Sequence, residues 1–188
     1  KEDENTRYTI IRFLSPLYKK NITLLSKGPE ETYMYMPVLK TVKKMEASSK
    51  NEKFADSDFT YEELSLLYKI SDFAEKAIIY DQDDEKYIIE VDQEDKDIPY
   101  SSVRIEILKA TMLPEEVTFY NWRNKASKVI GISDYEEIDG KMIPWTITAY
   151  DCKTEGKTTL NFKEVELDIG MDSEFFSPKN ISRPHLKY

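Results

Sequence analysis

Side chains that carry covalent or metal chemistry are scarce in this sequence. It holds one cysteine, Cys152, and one histidine, His185. No disulfide can close within the chain. A zinc site needs about four His, Cys or carboxylate ligands, and here it would draw on two residues far apart in the sequence. Five glycines and eight prolines in 188 residues exclude a repetitive linker or a collagen-like chain. No apolar run reaches the ~18–20 residues that cross a bilayer as a helix. A basic stripe is also missing. The formal net charge is −9 and the lysines are scattered among acids, whereas a nucleic-acid binder needs clustered cations to displace counterions from phosphates. DNA and RNA are therefore not expected partners, and the overall charge argues against attraction to an anionic membrane surface. No cofactor or metal is expected. The low cysteine content suits the cytosol and a bacterial periplasm equally.

What is present points to a folded β protein. Charged residues make up 34% and hydrophobic ones 40%, a normal globular balance, and the length is that of a single domain over residues 1–188. Thirteen tyrosines and eight phenylalanines favour sheet, because aromatic side chains fit a pleated, half-buried surface. The opening Lys1-Glu2-Asp3-Glu4-Asn5 runs almost at once into a strand pattern. That abrupt start is what a processed, exported chain would show, with its signal segment upstream.

Period-two alternation predicts strands over Thr6–Leu14, Asn21–Lys27, Thr32–Pro37, Lys40–Glu46, Lys76–Asp81, Glu85–Asp92, Ser101–Lys109, Glu115–Trp122, Ala126–Ile138, Lys141–Asp151 and Lys157–Ile169. Asp139-Gly140 is the strongest hairpin signal. In the last strand the apolar phase flips at Lys163-Glu164, as a β-bulge would make it do. Ala47–Asn51 reads as a loop. Thr60 and Glu63 have capping-box spacing, and with Leu64 and Leu67 they predict a short helix ending near Tyr68. The tail reads as a helical turn at Ser173–Phe176 followed by coil. The fold class is thus mainly β: an antiparallel meander of about 10–11 strands with a short helical insertion. A sheet of that width must curl, split or close, so a strongly curved sheet or partial barrel is expected.

Few motifs carry chemistry. Ser57 and Asp58 are a conceivable nucleophile and acid, but no histidine is near to activate Ser57. The structural reading, in which Asp58 or Thr60 caps the helix while Phe59 and Tyr61 pin the loop to the core, is the stronger one. The acidic stretches Asp81–Glu85 and Asp92–Asp97 fail the EF-hand pattern, since Lys86 and Asp92 stand where its glycine and glutamate belong. A solvated turn explains them better. Tyr33-Met34-Tyr35-Met36 is large and apolar on both faces of its strand. Either the strand is covered on both sides, the commoner case, or one row lines a pocket, where methionine adapts to ligands of varied shape. Lys40, Lys43 and Lys44 form a small basic cluster, with blocking of an exposed sheet edge as its ordinary use.

Several of these segments together resemble the bacterial outer-membrane lipoprotein-sorting (Lol-type) family, in its broader branch. The matching stretches are Thr9–Pro16, Tyr33–Val42, Ile138–Pro144 and Phe175–Pro178, with Ser57-Asp58-Phe59-Thr60-Tyr61-Glu62 as the most specific, so the similarity runs from about Thr6 to Ile181. Where the family usually carries glycine before Ser-Asp-Phe, this chain has Asp56. If that position takes positive φ, Asp tolerates it better than most residues. The motif Asp56, Ser57, Asp58, Phe59, Thr60, Tyr61 looks architectural.

The resemblance implies an antiparallel half-barrel whose open side is covered by helix. It also implies carriage of lipid or lipoprotein acyl chains in the periplasm or cell envelope, with no covalent chemistry. A membrane transporter or an outer-membrane acceptor would be a further partner. Each CH₂ kept from water is worth about 0.8 kcal/mol, so acyl chains need such shelter to cross an aqueous gap. Alternation, rather than the resemblance, suggests the lining: Tyr33 or Met34, Tyr35 or Met36, Val103, Ile105, Ile107, Val117, Phe119, Ile143, Trp145 and Ile147. Ordinary core is the competing reading for each. Two other functions compete: a docking module for an envelope or transporter system, using the same sheet, and an enzyme built on Ser57, Asp58 or the acidic turns.

Overall fold

The structure is a computed structural model, and the residues described are 8–27, 31–46, 52–66, 77–94, 96 and 99–183. The chain divides into two compact units, Lys1–Ala55 with Asp168–Tyr188, and Asp56–Leu167.

The first unit is a four-stranded antiparallel sheet in the order β1 (Tyr8–Arg12), β2 (Thr23–Lys27), β3 (Glu31–Met36), β4 (Thr41–Lys44). Asn21 takes a left-handed φ of 68°, which delays β2 by two residues from the expected start. Side chains of a strand alternate between faces, so the register sorts them into two sets. Ile10, Leu25 and Tyr33 lie opposite one another, as do Arg12, Thr23 and Tyr35. The other face carries Ile11, Leu24 and Met34. Leu24 and Leu25 are both buried, so both faces of β2 are covered. The C-terminal segment packs on the first face: Arg12 donates from Nη2 to the Ile181 carbonyl at 2.8 Å, and Tyr8 meets Phe176 at 5.5 Å between ring centroids. On the second face Phe13 stacks on Phe54 at 5.0 Å. In the outer strand β4, Lys44 pairs with Glu31 at 3.0 Å.

The expected terminal coil is corrected in part. A 3-10 turn at Ser173–Phe175 is followed by α2 (Pro178–Ile181), capped by the Ser177 side chain, which accepts from the Asn180 N–H. Serine at the cap and proline at the first helical position are a start signal in their own right. His185 lies outside the described residues, as does the expected loop Ala47–Asn51.

The second unit is a seven-stranded antiparallel sheet, strictly sequential from β5 (Ile78–Gln82) through β6 (Lys86–Asp92), β7 (Ser102–Leu108), β8 (Pro114–Tyr120), β9 (Ala126–Ile138) and β10 (Lys141–Asp151) to β11 (Gly156–Asn161). Consecutive strands pair antiparallel throughout. At Asp139-Gly140 both φ values are positive, 49° and 75°, the geometry that matches strand twist in a two-residue turn. At the acidic turn, Asp83 Oδ1 accepts the Glu85 and Lys86 N–H groups at 2.8 and 2.7 Å, which holds the carboxyl below its usual range. Bulges fall at β5–β6, β7–β8 and β8–β9. Neither sheet closes on itself among the described residues.

The last strand is a correction. β11 ends at Asn161, and the final ladder bond runs from the Phe162 N–H to the Trp145 carbonyl at 2.9 Å. Val165 and Leu167 remain half-buried between exposed neighbours, so the alternation there reports burial along a segment that belongs to no strand among the described residues. The phase flip at Lys163-Glu164 marks the exit from the sheet and not a bulge. The predicted helix begins as expected, with α1 at Tyr61–Leu66. Its expected end near Tyr68 lies outside the described residues. Among the described residues no helix is long and apolar enough to cross a membrane.

Candidate functional site

Register turns the alternation of the seven-stranded sheet into one largely apolar face, interrupted on β9 where Glu136 stands opposite Ile143. Val103 sits opposite Val91 and Phe119, and Ile105 opposite Ile89 and Val117. Val117 faces Ile130, which faces Ala149, while Ile132 faces Ile147, which faces Leu160. Ile107 pairs with Tyr87, and Trp145 and Ile143 continue the phase of Ile147 along β10. The expected lining residues Val103, Ile105, Ile107, Val117, Phe119, Ile143, Trp145 and Ile147 therefore share a face. Alternation placed Ala149 on the side of Ile147 without naming it as lining, and it missed Val91, Ile130 and Ile132. In β6 and β9 the interleaved Ile88 and Val129 are also apolar and blur the period, and the cross-strand partners were the signal that would have found them.

Burial along this face is graded. Val91, Val103, Ile105, Val117, Phe119, Ile130, Ile132, Ile147 and Ala149 are buried. Tyr87, Ile107, Ile143, Trp145 and Leu160, toward the other end of the strands, are half-buried. The Trp145 Nε1–H is buried and has no hydrogen-bond partner among the described residues. The β9–β10 ladder is interrupted beside it, opposite Asp134, whose φ is 56°. Pro144 at this point has no N–H to give.

The more buried end is built by the motif segment. Asp56 takes the positive φ, 62°, that glycine would accept freely. Ser57 Oγ accepts the Phe59 N–H at 3.3 Å, and Phe59 is fully buried. Asp58 docks onto β11: its N–H donates to Thr158 Oγ1 at 2.9 Å, and that hydroxyl donates back to Asp58 Oδ2 at 2.8 Å. Gly156 is required beside it, because a Cβ there would collide with the Asp58 carboxylate. Thr60 and Glu63 close the capping box at 3.1 and 2.7 Å. Glu63 then pairs with Lys128 of β9 at 2.9 Å, with both side chains under a tenth exposed, and Lys128 also donates to the Asp58 carbonyl. Tyr100 meets Phe119 edge-on at 5.0 Å. Ser57 and Asp58 are thus spent on holding α1, through Lys128 and Thr158, against this end of the apolar face.

The opposite face is polar. Arg104 pairs with Glu90 and lies between the rings of Tyr80 and Tyr120, 3.7 and 4.4 Å from their centroids. Lys86 bridges Glu115 and Glu106 at 2.7 and 3.0 Å, and these carboxylates raise its pKa. Tyr135 donates its hydroxyl to the Pro114 carbonyl, and burial with the nearby Glu115 charge pushes its pKa up to about 12.

In the four-stranded sheet the tyrosine and methionine rows separate. Tyr33 and Tyr35 share the face that carries Arg12, while Met34 and Met36 share the face of Leu24. All four are half-buried.

A family model described as "Uncharacterized protein" matches residues 5–183. No curated protein matches the chain. Three solved structures share its fold. A domain from Vibrio parahaemolyticus described as an outer membrane lipoprotein-sorting protein is 21% identical, with a TM-score of 0.81, over 95% of this chain and 78% of that one. A DUF1329 family protein from Desulfovibrio piger is 20% identical, with a TM-score of 0.85, over 96% and 79%. A LolA superfamily protein from Nitrosomonas europaea is 18% identical, with a TM-score of 0.69, over 91% and 76%. The fold is that of the LolA-like lipoprotein-sorting domains.

Proposed function

The chain belongs to that uncharacterized family, and from this premise and its LolA-like fold we propose that it binds or carries lipid or lipoprotein acyl chains in the bacterial periplasm or cell envelope, without covalent chemistry. The carrying observation is the graded apolar face of the seven-stranded sheet. It is closed by α1 and Tyr100 at one end and lined at the other by Tyr87, Ile107, Ile143 and Trp145. The Trp145 Nε1–H supports the reading: a buried donor without a partner costs about 1–3 kcal/mol, and an ester or amide carbonyl at the head of an acyl chain would satisfy it.

The test is organic extraction of natively purified protein followed by mass spectrometry. Acyl lipid should be recovered near one equivalent, and Ile107→Asp or Ile143→Asp, at half-buried positions, should lose it while keeping the circular dichroism of the parent. Folded parent protein that retains no lipid and takes none up from an acyl-chain probe overturns the proposal.

One observation favours a second reading, a docking module. The outermost strand β5 exposes Ile78, Ile79 and Tyr80, and an edge of this kind accepts a partner strand. Protection of β5 amides from hydrogen exchange in the presence of an envelope partner would support it.

A further inference from the structure

The connections β1–β2 and β3–β4 leave the four-stranded sheet from the same end. Arg12, Thr23, Tyr35 and Val42 stand in one row there, and beyond them lie residues 13–22 and 37–40. Both tips are apolar and exposed. Leu14, Leu17 and Tyr18 are 75%, 86% and 73% exposed on the first, and Val38 and Leu39 are 87% and 58% exposed on the second. The chain displays them on ordered turns. The Asn21 N–H donates to the Phe13 carbonyl at 2.8 Å, Lys19 to Pro16 at 2.9 Å, and Lys40 to Pro37 at 3.3 Å. Since β2 and β3 are neighbours, the two tips stand about 10 Å apart, two inter-strand spacings.

Charge segregates to the same place. The chain carries a net −9, yet neither Phe13–Lys27 nor Thr32–Met45 contains an aspartate or glutamate. Lys20, Lys40 and Lys43 are exposed, and no carboxylate pairs with them among the described residues. Lys19 lies 5.5 Å from the Tyr18 ring centroid. At physiological salt the Debye length is about 8 Å, so a surface touching these tips feels mainly the charges the tips themselves carry, which are lysines.

We propose that this end of the four-stranded sheet docks on an anionic lipid bilayer, with Leu17, Tyr18 and Val38 entering below the headgroups and Lys20, Lys40 and Lys43 at phosphate level. Exposed apolar side chains ringed by lysine are the pattern of interfacial binding, and tyrosine is at home at the headgroup boundary. A protein partner would need two separate pockets matched to two convex tips, whereas a bilayer surface accepts both without prior fit. The proposal does not depend on the carrier reading, because vesicle binding and acyl-chain retention are separate measurements.

The test is flotation of the whole chain with phosphatidylcholine vesicles that contain or lack phosphatidylglycerol, at low and high salt. Binding should require phosphatidylglycerol and weaken as salt rises. Leu17→Ser with Val38→Ser should weaken it about tenfold or more, by removing buried apolar area, and Lys40→Gln with Lys43→Gln should remove its dependence on phosphatidylglycerol. These positions are exposed, so the variants should unfold at the parent temperature and retain acyl lipid like the parent. Failure of the parent to bind either vesicle overturns the proposal, as does binding that survives both pairs of substitutions. Tips that instead cross-link to one protein in the presence of vesicles, with no flotation, assign this surface to a protein partner.

Discussion

Replacing Lys128 by methionine removes the cation from the ion pair that fixes α1 to β9. The pair is close, 2.9 Å, and its side chains are 9% and 7% exposed, so solvent does little to screen it. Methionine fills nearly the same volume but leaves the Glu63 carboxylate buried without its cation, and it strips a donor from the Asp58 carbonyl. Breaking a buried pair in this way costs about 3–5 kcal/mol, a large share of the 5–15 kcal/mol typical of a folded domain. Glu63→Gln leaves an oxygen for the Thr60 N–H, which Glu63 Oε2 now accepts at 2.7 Å. It neutralises the carboxylate, so on top of Lys128→Met it should recover about 2–3 kcal/mol. Urea unfolding followed by circular dichroism measures all four corners of the cycle, and a constant m-value guards the comparison. Single substitutions that each cost under about 1 kcal/mol and simply add would refute the argument that this pair anchors the helix.

Other perturbations follow from the same geometry. Gly156→Ala places a methyl group against the Asp58 carboxylate, which its bonds to Thr158 hold in place; about 1–3 kcal/mol of stability should be lost in denaturant titration. Tyr135 has a folded-state pKa raised to about 12, so the folded state favours its neutral form. That contribution is complete below the unfolded value of about 10 and is lost as pH rises through the folded one. Thermal stability should therefore fall more steeply between about pH 10 and 12 in the parent than in Tyr135→Phe.

Strand order was largely legible because each hairpin carries its own turn chemistry and the sequence alternates cleanly where one face is wet. Asp139-Gly140 and Thr60–Glu63 are local signals, and both formed as read. The division into a four-stranded and a seven-stranded sheet was not legible, since period two describes each strand and says nothing of which strands pair. The run past Asn161 failed for a related reason: Val165 and Leu167 alternate in burial without a ladder. Lys128 is the clearest residue missed. A lysine between Ser127 and Val129 reads as solvated, and only the fold brings Glu63, 65 residues earlier, to its ammonium group. The tip lysines were hidden by averaging, because a net charge of −9 conceals two segments that carry no acid.

The central claim is that acyl chains lie against the apolar face at Trp145. The chain has two tryptophans, Trp122 and Trp145, and a Trp122→Phe background leaves Trp145 as the sole indole reporter. Titration with a fatty acid brominated along its chain should quench that fluorescence saturably, and the unbrominated acid should shift the emission to the blue without quenching it. Trp145 emission unchanged by either acid, in protein that remains folded, would contradict the account.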